Sequence, residues 1–193
     1  MIIRKFNDSD IKRAGELSAL TWGDFFIHES QELQAFIYSF MIEYYDLNRD
    51  FSFSILDDNE LKGFLLAFKK DDYYASQNFS NKIVSLKNEV EQKIALDLFH
   101  YLESCGKEVK SRMGNDDIML GLFVSIQKGC GKMLLARLNQ FCKENQMQNV
   151  YLWTDTTCDC EYYGKHNFIL DKEKKDFVNN KMVKTLIYSK EIL

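Results

Sequence analysis

Hydrophobic and polar positions divide the chain into segments of two periods. Ile2, Arg4 and Phe6 open a short alternating stretch that predicts a strand. Asn7-Asp8-Ser9-Asp10 then offers helix N-caps, and Ile11, Ala14, Leu17 and Leu20 follow at helical spacing. The aromatic run from Trp22 to Glu29 breaks that period and reads as a loop. Ser30 caps a second helix, with Leu33, Phe36, Ile37, Phe40, Met41 and Tyr44 on one face. Phe51 to Ile55 alternates as a strand, Asp57 to Glu60 makes a turn, and Leu61 to Phe68 returns as the second strand of an antiparallel hairpin.

Residues 69–81 are polar and aromatic without a period and read as a loop. Ile83, Leu86, Val90, Ile94, Leu98, Tyr101, Leu102 and Cys105 predict one long amphipathic helix over residues 82–105, stopped by Gly106, with a break near Lys93 as the alternative. Ile118 to Val124 is a buried strand, followed by a glycine turn and a helix carrying Leu134, Leu135, Leu138, Phe141 and Cys142. Val150 to Trp153 is another buried strand, and two closing strands fall near Phe168–Asp171 and Val183–Ser189. The order β-α-α-β-β-α-β-α-β-α-β-β predicts an α/β protein of α+β type, with a mixed central sheet flanked by helices. It is expected to be a single domain over residues 1–193, with a helical insertion at about 70–115. The chain contains no proline, so element ends are read from glycines and caps alone.

Composition narrows the function classes. With 46% hydrophobic and 28% charged residues the chain has a globular balance. A formal charge of −4 argues against a nucleic-acid partner, which would need a surplus of Lys and Arg. The first residues run straight into charge, and no apolar stretch approaches membrane-spanning length, so neither a signal peptide nor a membrane association is expected. Five cysteines at irregular spacing fit reduced thiols in the cytoplasm. Cys158-x-Cys160 lacks a second Cys/His pair to complete four ligands, so no metal is expected.

The chemistry concentrates around Gln127-Lys128-Gly129-Cys130-Gly131-Lys132, between a buried strand and an amphipathic helix. Two glycines there let the backbone approach an anion, and the first free N–H groups of the helix point at it. The turn is too short for a G-x-x-x-x-G-K-[ST] phosphate loop. It is no dinucleotide fingerprint either, because Leu134 stands where the third glycine belongs. By itself a glycine turn between strand and helix is also common in proteins that bind no phosphate.

A second segment adds to the first: Val150-Tyr151-Leu152-Trp153-Thr154-Asp155-Thr156, followed by Tyr162-Tyr163-Gly164-Lys165-His166-Asn167-Phe168. Together they resemble the acetyl-CoA-binding half of the GNAT superfamily of N-acetyltransferases, over about residues 116–170, the rest matching by element order. Gly129 and Gly131 match the family's Q/R-x-x-G-x-G/A, with Ile126 in place of Gln or Arg and Gln127 displaced by one. Tyr163 to Phe168 matches Y-x-x-x-G-F, with Asn167 in place of Gly. The resemblance implies the GNAT fold, its sheet splayed between the fourth and fifth strands. Acetyl-CoA would be the co-substrate, its pantetheine paired with the backbone of Leu122, Phe123 and Val124. Its pyrophosphate would sit on Gln127, Lys128, Gly129, Cys130, Gly131 and Lys132. Acetyl transfer to an amine would proceed by direct attack, with the oxyanion held by a strand N–H and Tyr163 protonating the thiolate, Tyr162 being the fallback.

Asp155 lies at the carboxyl end of a buried strand, where open α/β sheets place ligand-contacting groups. It could deprotonate the amine or simply cap the next helix, with Glu161 and Asp117 as alternative bases. A small-molecule or peptide amine is the expected acceptor, shaped by residues 21–30, the segment before the long helix and residues 172–182. His28 is the histidine placed near it. Homodimerisation is left open. A CoA-binding or protein-interaction module without catalysis is the alternative of another class.

Overall fold

The computed structural model describes residues 1–72, 76–179 and 181–192 and, for 76–78, the backbone alone. Seven strands form one mixed sheet in the order β1-β2-β3-β4-β5-β7-β6. They are β1 (Ile2–Lys5), β2 (Phe53–Asp57), β3 (Glu60–Lys69), β4 (Ile118–Ser125), β5 (Asn149–Asp155), β6 (Ile169–Val178) and β7 (Lys181–Glu191). Every neighbouring pair is antiparallel except β4 and β5, which run parallel. This is the α+β class expected from the order of elements.

Helices cover both faces. On one lie α1 (Ile11–Trp22), α2 (Gln31–Tyr45), α3 (Ser76–Val84) and α4 (Glu89–Lys110), packed with Phe64, Phe68, Met119 and Val124 of the sheet. On the other, α5 (Cys130–Glu144) buries Leu134, Leu135 and Leu138 against Ile55, Leu65 and Val150. The four-residue α6 (Glu161–Gly164) follows β5.

Strand β4 serves both cores by alternation, and its phase slips once. Leu120 pairs with Ala67 and Leu122 with Leu66, so Gly121 is an extra residue in the ladder. Leu120 therefore packs towards α5 and Leu122 towards the other helices. A Cβ on Gly121 would stand 2.4 Å from a ring carbon of Tyr45 and 2.7 Å from one of Phe68, so only glycine lets those rings seat on the strand.

Several sequence expectations are corrected here. Part of the loop read at 69–81 is helix α3, while residues 73–75 lie outside the described residues. The single helix over 82–105 is two, broken at 85–88 rather than near Lys93, where the Asn88 side chain accepts the Val90 amide and caps α4. Gly106 does not stop α4. It is buried within it, because the apolar stripe continues through Val109. Helix α1 runs on through Trp22 into a 3-10 turn over Gly23–Phe26, where a loop was expected. The closing strands are longer than read: β6 is a mostly exposed edge strand whose charges at 172–176 hide its pattern.

Candidate active site

The parallel ladder between β4 and β5 is two residues long. Ile118 pairs with Val150 and Met119 with Tyr151, after which the strands part. Beyond Met119 the β5-facing edge of β4 has no partner strand among the described residues. A cavity of about 310 Å³ opens in the gap and joins the two faces of the sheet. Leu122, Phe123 and Val124 line it from β4, and Trp153 and Asp155 from β5, with Tyr162 and Tyr163 behind them. On the far side the wall is Trp22, Phe25 and Phe26 at the end of α1, with Tyr45 of α2 and Tyr101 of α4.

The glycine turn abuts this cavity. Gly129 is the N-cap of α5 with φ +90°, a left-handed conformation that glycine adopts freely, and no side chain caps the helix. Space around its Cα is open. Gly131 is the tighter position: a Cβ there would lie 2.7 Å from the Tyr162 hydroxyl and 3.2 Å from the Phe123 ring. That hydroxyl is buried without a hydrogen-bond partner among the described residues. The ring beneath it stacks on His166 at 4.1 Å. An uncapped helix start beside an unmatched hydroxyl is the polar environment that a phosphate or amide-bearing ligand would complete.

The other residues of the turn are dispersed. Gln127 turns away and donates to Asp57 at 3.0 Å. Cys130 is buried, its thiol beside the Met1 sulfur. Lys128 and Lys132 are exposed.

Tyr163 packs among Tyr162, Phe168 and Tyr188, with ring centroids 5.7 to 5.8 Å apart. Burial, reinforced by the neighbouring Cys158, pushes its pKa well above the ordinary phenol value, so it holds its proton. Cys160, whose thiol donates to the Asp155 carbonyl at 2.8 Å, is likewise pushed up to about 11 by burial.

Asp155 is 7% exposed. Its Oδ1 accepts the Thr157 amide at 2.9 Å and the Thr157 hydroxyl at 2.5 Å, and its Oδ2 accepts the Tyr101 hydroxyl at 2.9 Å. Tyr101 Oη lies 2.8 Å from Thr185 Oγ1, which donates to Asp176 Oδ2 at 2.6 Å. Asp176 in turn pairs with Lys174. Burial, then the charge of Asp155, drives the Tyr101 pKa far up, so this phenol is neutral. No lysine, arginine or histidine pairs with Asp155 among the described residues.

Sequence reasoning brought Asp155, Tyr162, Tyr163 and the β4 residues to one cavity. The alternative bases lie elsewhere: Asp117 accepts Gly114 N and Asn149 Nδ2 at the opposite end of β4, and Glu161 is exposed in a pair with Lys165. His28 is exposed and outside the wall. Tyr101 and Thr185 were missed, because in an apolar stripe and a closing strand they look like core. The available signal was a tyrosine in a stripe otherwise filled by aliphatic residues and Cys105.

No family model matches the chain, and no curated protein matches it in sequence. Solved structures do. The C-terminal condensation domain of Ebony, in complex with beta-alanyl-dopamine, matches with a TM-score of 0.68 at 12% identity, over 99% of this chain and 98% of that one. A Desulfovibrio desulfuricans protein assigned to the GNAT family of acetyltransferases matches at 0.59 and 11%, over 100% and 99%. An aminoglycoside 6'-N-acetyltransferase complexed with coenzyme A matches at 0.58 and 15%, over 100% and 98%. The chain therefore shares with these structures a mixed α+β fold with a splayed sheet. It is the GNAT fold, as the glycine turn and the tyrosine frame led one to expect.

Proposed function

We propose that this chain transfers an acetyl group from acetyl-CoA to an amine by direct attack. The carrying observation is convergence: the splay of β4 from β5, Tyr163 and Asp155 meet one cavity, and Gly131 at the start of α5 lies against Tyr162 and Phe123 of its lining. Coenzyme A bound to one structural neighbour, and an amine-derived ligand bound to another, support the reading.

Acetyl-CoA supplies the activated thioester. The amides of Gly131 and Lys132 and the positive end of α5 suit its pyrophosphate, with Lys128 and Lys132 adding charge nearby. The orphaned Tyr162 hydroxyl would find a polar partner at the same place. The open edge of β4 around Leu122, Phe123 and Val124 offers main-chain groups to the pantetheine amides. Tyr163, kept neutral by burial, protonates the departing sulfur and is restored by the second proton that the attacking nitrogen sheds as the amide forms.

Asp155 is the base, and proton counting supports that role. Three contacts link Asp155, Tyr101, Thr185 and Asp176. With both carboxylates ionised, only two hydroxyl hydrogens serve them. A proton taken from the incoming ammonium at Asp155 is the third. Tyr101 then turns to donate to Thr185, and every contact in the chain is matched.

Calorimetry with CoA and thiol release from acetyl-CoA over a panel of amines test the proposal. Tyr163→Phe should lower turnover about a hundredfold, the loss typical for a general acid, while leaving CoA affinity nearly intact. Binding of CoA without thiol release for any amine would favour the non-catalytic module. No CoA binding would sink both readings.

A further inference from the structure

We infer that the acceptor is a small, hydrophobic primary amine that arrives as its ammonium ion, an arylalkylamine or compact alkylamine. This rests on the acetyl-transfer reading and deepens it.

The cavity has two unlike halves. The half towards α5 has an open strand edge, and the helix start, which no side chain caps among the described residues, lies just behind Phe123 and Tyr162. The half facing α1, α2 and α4 is walled by Trp22, Phe25, Phe26, Tyr101 and Trp153, with Leu98 and Val183 among them. Tyr101 and Trp153 meet edge to face at 5.2 Å and Phe25 and Phe26 at 4.8 Å, so paired rings build this wall. Lys181 pins the outer part, donating to the Phe25 carbonyl at 2.8 Å with its ammonium 4.5 Å from the Phe25 ring centre.

Charge then selects the occupant. Asp155 and Asp159 line the cavity, and no lysine, arginine or histidine does so among the described residues. An anionic acceptor meets repulsion there. A monocation instead meets a buried carboxylate with no counter-cation, beside aromatic faces that attract cations.

Hydrogen-bonding capacity sets the third limit. The Thr157 hydroxyl is committed to Asp155, and the Trp22 indole N–H to the Cys158 sulfur. Trp153 Nε1 is a buried donor in this wall without a partner among the described residues. A polyhydroxylated or multiply charged amine would shed many water contacts here and regain few. A cavity of about 310 Å³, which must also admit the thioester end, leaves room for one ring or a short chain.

The test is a rate comparison on the intact protein. Phenethylamine, spermidine, kanamycin and a dipeptide are compared by thiol release, alongside quenching of tryptophan fluorescence without cofactor. Phenethylamine should give kcat/KM at least about tenfold above the others and should quench saturably, whereas neutral 2-phenylethanol should compete poorly. Trp22→Ala, checked for folding by circular dichroism, should raise the phenethylamine KM about tenfold and leave CoA affinity unchanged. Faster transfer to spermidine, kanamycin or the dipeptide overturns this inference and leaves acetyl transfer standing. Absence of both CoA binding and thiol release overturns the reading beneath it. Saturable quenching by 2-phenylethanol as strong as by phenethylamine overturns the cationic part.

Discussion

Two buried carboxylates, Asp10 and Asp155, are 3% and 7% exposed, and their surroundings differ in kind. Asp10 receives both guanidinium nitrogens of Arg4 at 2.6 Å, the Ser54 hydroxyl at 2.7 Å and the Asn7 amide at 3.1 Å. Its charge is neutralised, and its partners tie β1, β2 and the entry to α1 together. Asp155 receives two hydroxyls and an amide but, among the described residues, no cation, and it faces a cavity. A buried charge that is paired secures the fold, and one left unpaired beside a cavity is poised for a ligand. The first should answer to mutation in stability, the second in turnover.

Asp155→Asn carries the largest expected effect. It keeps the shape and removes the proton acceptor, so turnover should fall a hundredfold or more, about 2.7 kcal/mol or above. Its cost in stability should stay within about 1 kcal/mol, because no ion pair is broken. Steady-state kinetics beside urea unfolding check both halves. A variant that unfolds easily but turns over normally would make Asp155 structural.

Arg4→Ala inverts that pattern. It strands Asp10 without a counterion, which in a fully buried pair costs about 3–5 kcal/mol. The Arg4 side chain is 32% exposed, so water partly replaces it and about 2 kcal/mol is expected instead. Urea unfolding should show the loss, and thiol release measured well below the transition should be near normal.

How much of this contrast could be read in the sequence depends on how local each signal is. The glycine turn and the tyrosine frame lie within short segments, because backbone conformation is written in nearby residues. The capping residues Asn7 and Asp10 were visible for the same reason, although they close a 3-10 turn over Asp8–Asp10 that leads into α1 and not α1 itself. Asp155 was legible as a strand-end carboxylate. Its partners were not, since Tyr101, Asp155 and Thr185 meet across 84 residues and by side chains alone. The break at Asn88 was lost because apolar spacing continues through it. The length of β6 was lost because an edge strand can be charged on both faces.

Thr185→Val should produce a smaller effect that sharpens the Asp155 half of the comparison. Valine keeps the volume and the Tyr101–Asp155 bond but removes the middle of the proton chain. Turnover should fall about tenfold, about 1.4 kcal/mol, at unchanged CoA affinity. Unchanged turnover in a folded variant would reduce the chain to a packing feature.

The smallest effect is a slope. Burial raises the Asp10 carboxyl pKa, but hydrogen bonds from Arg4, Ser54 and the Asn7 amide outweigh it and hold the folded value below the ordinary 3.8. A carboxylate depressed on folding contributes stability that is fully present above its unfolded value. That contribution fades as pH falls through 3.8 towards the lower folded value, because the unfolded chain binds the proton first. Wild-type Tm should therefore decline more steeply below about pH 4 than that of Asp10→Asn, which has no proton to take up there. The Asn variant starts from lower stability at neutral pH, so the slopes, not the Tm values, are compared. Parallel slopes would mean that the Arg4 pair carries no net stability, and Asp10 would then join Asp155 as a carboxylate whose burial needs another explanation.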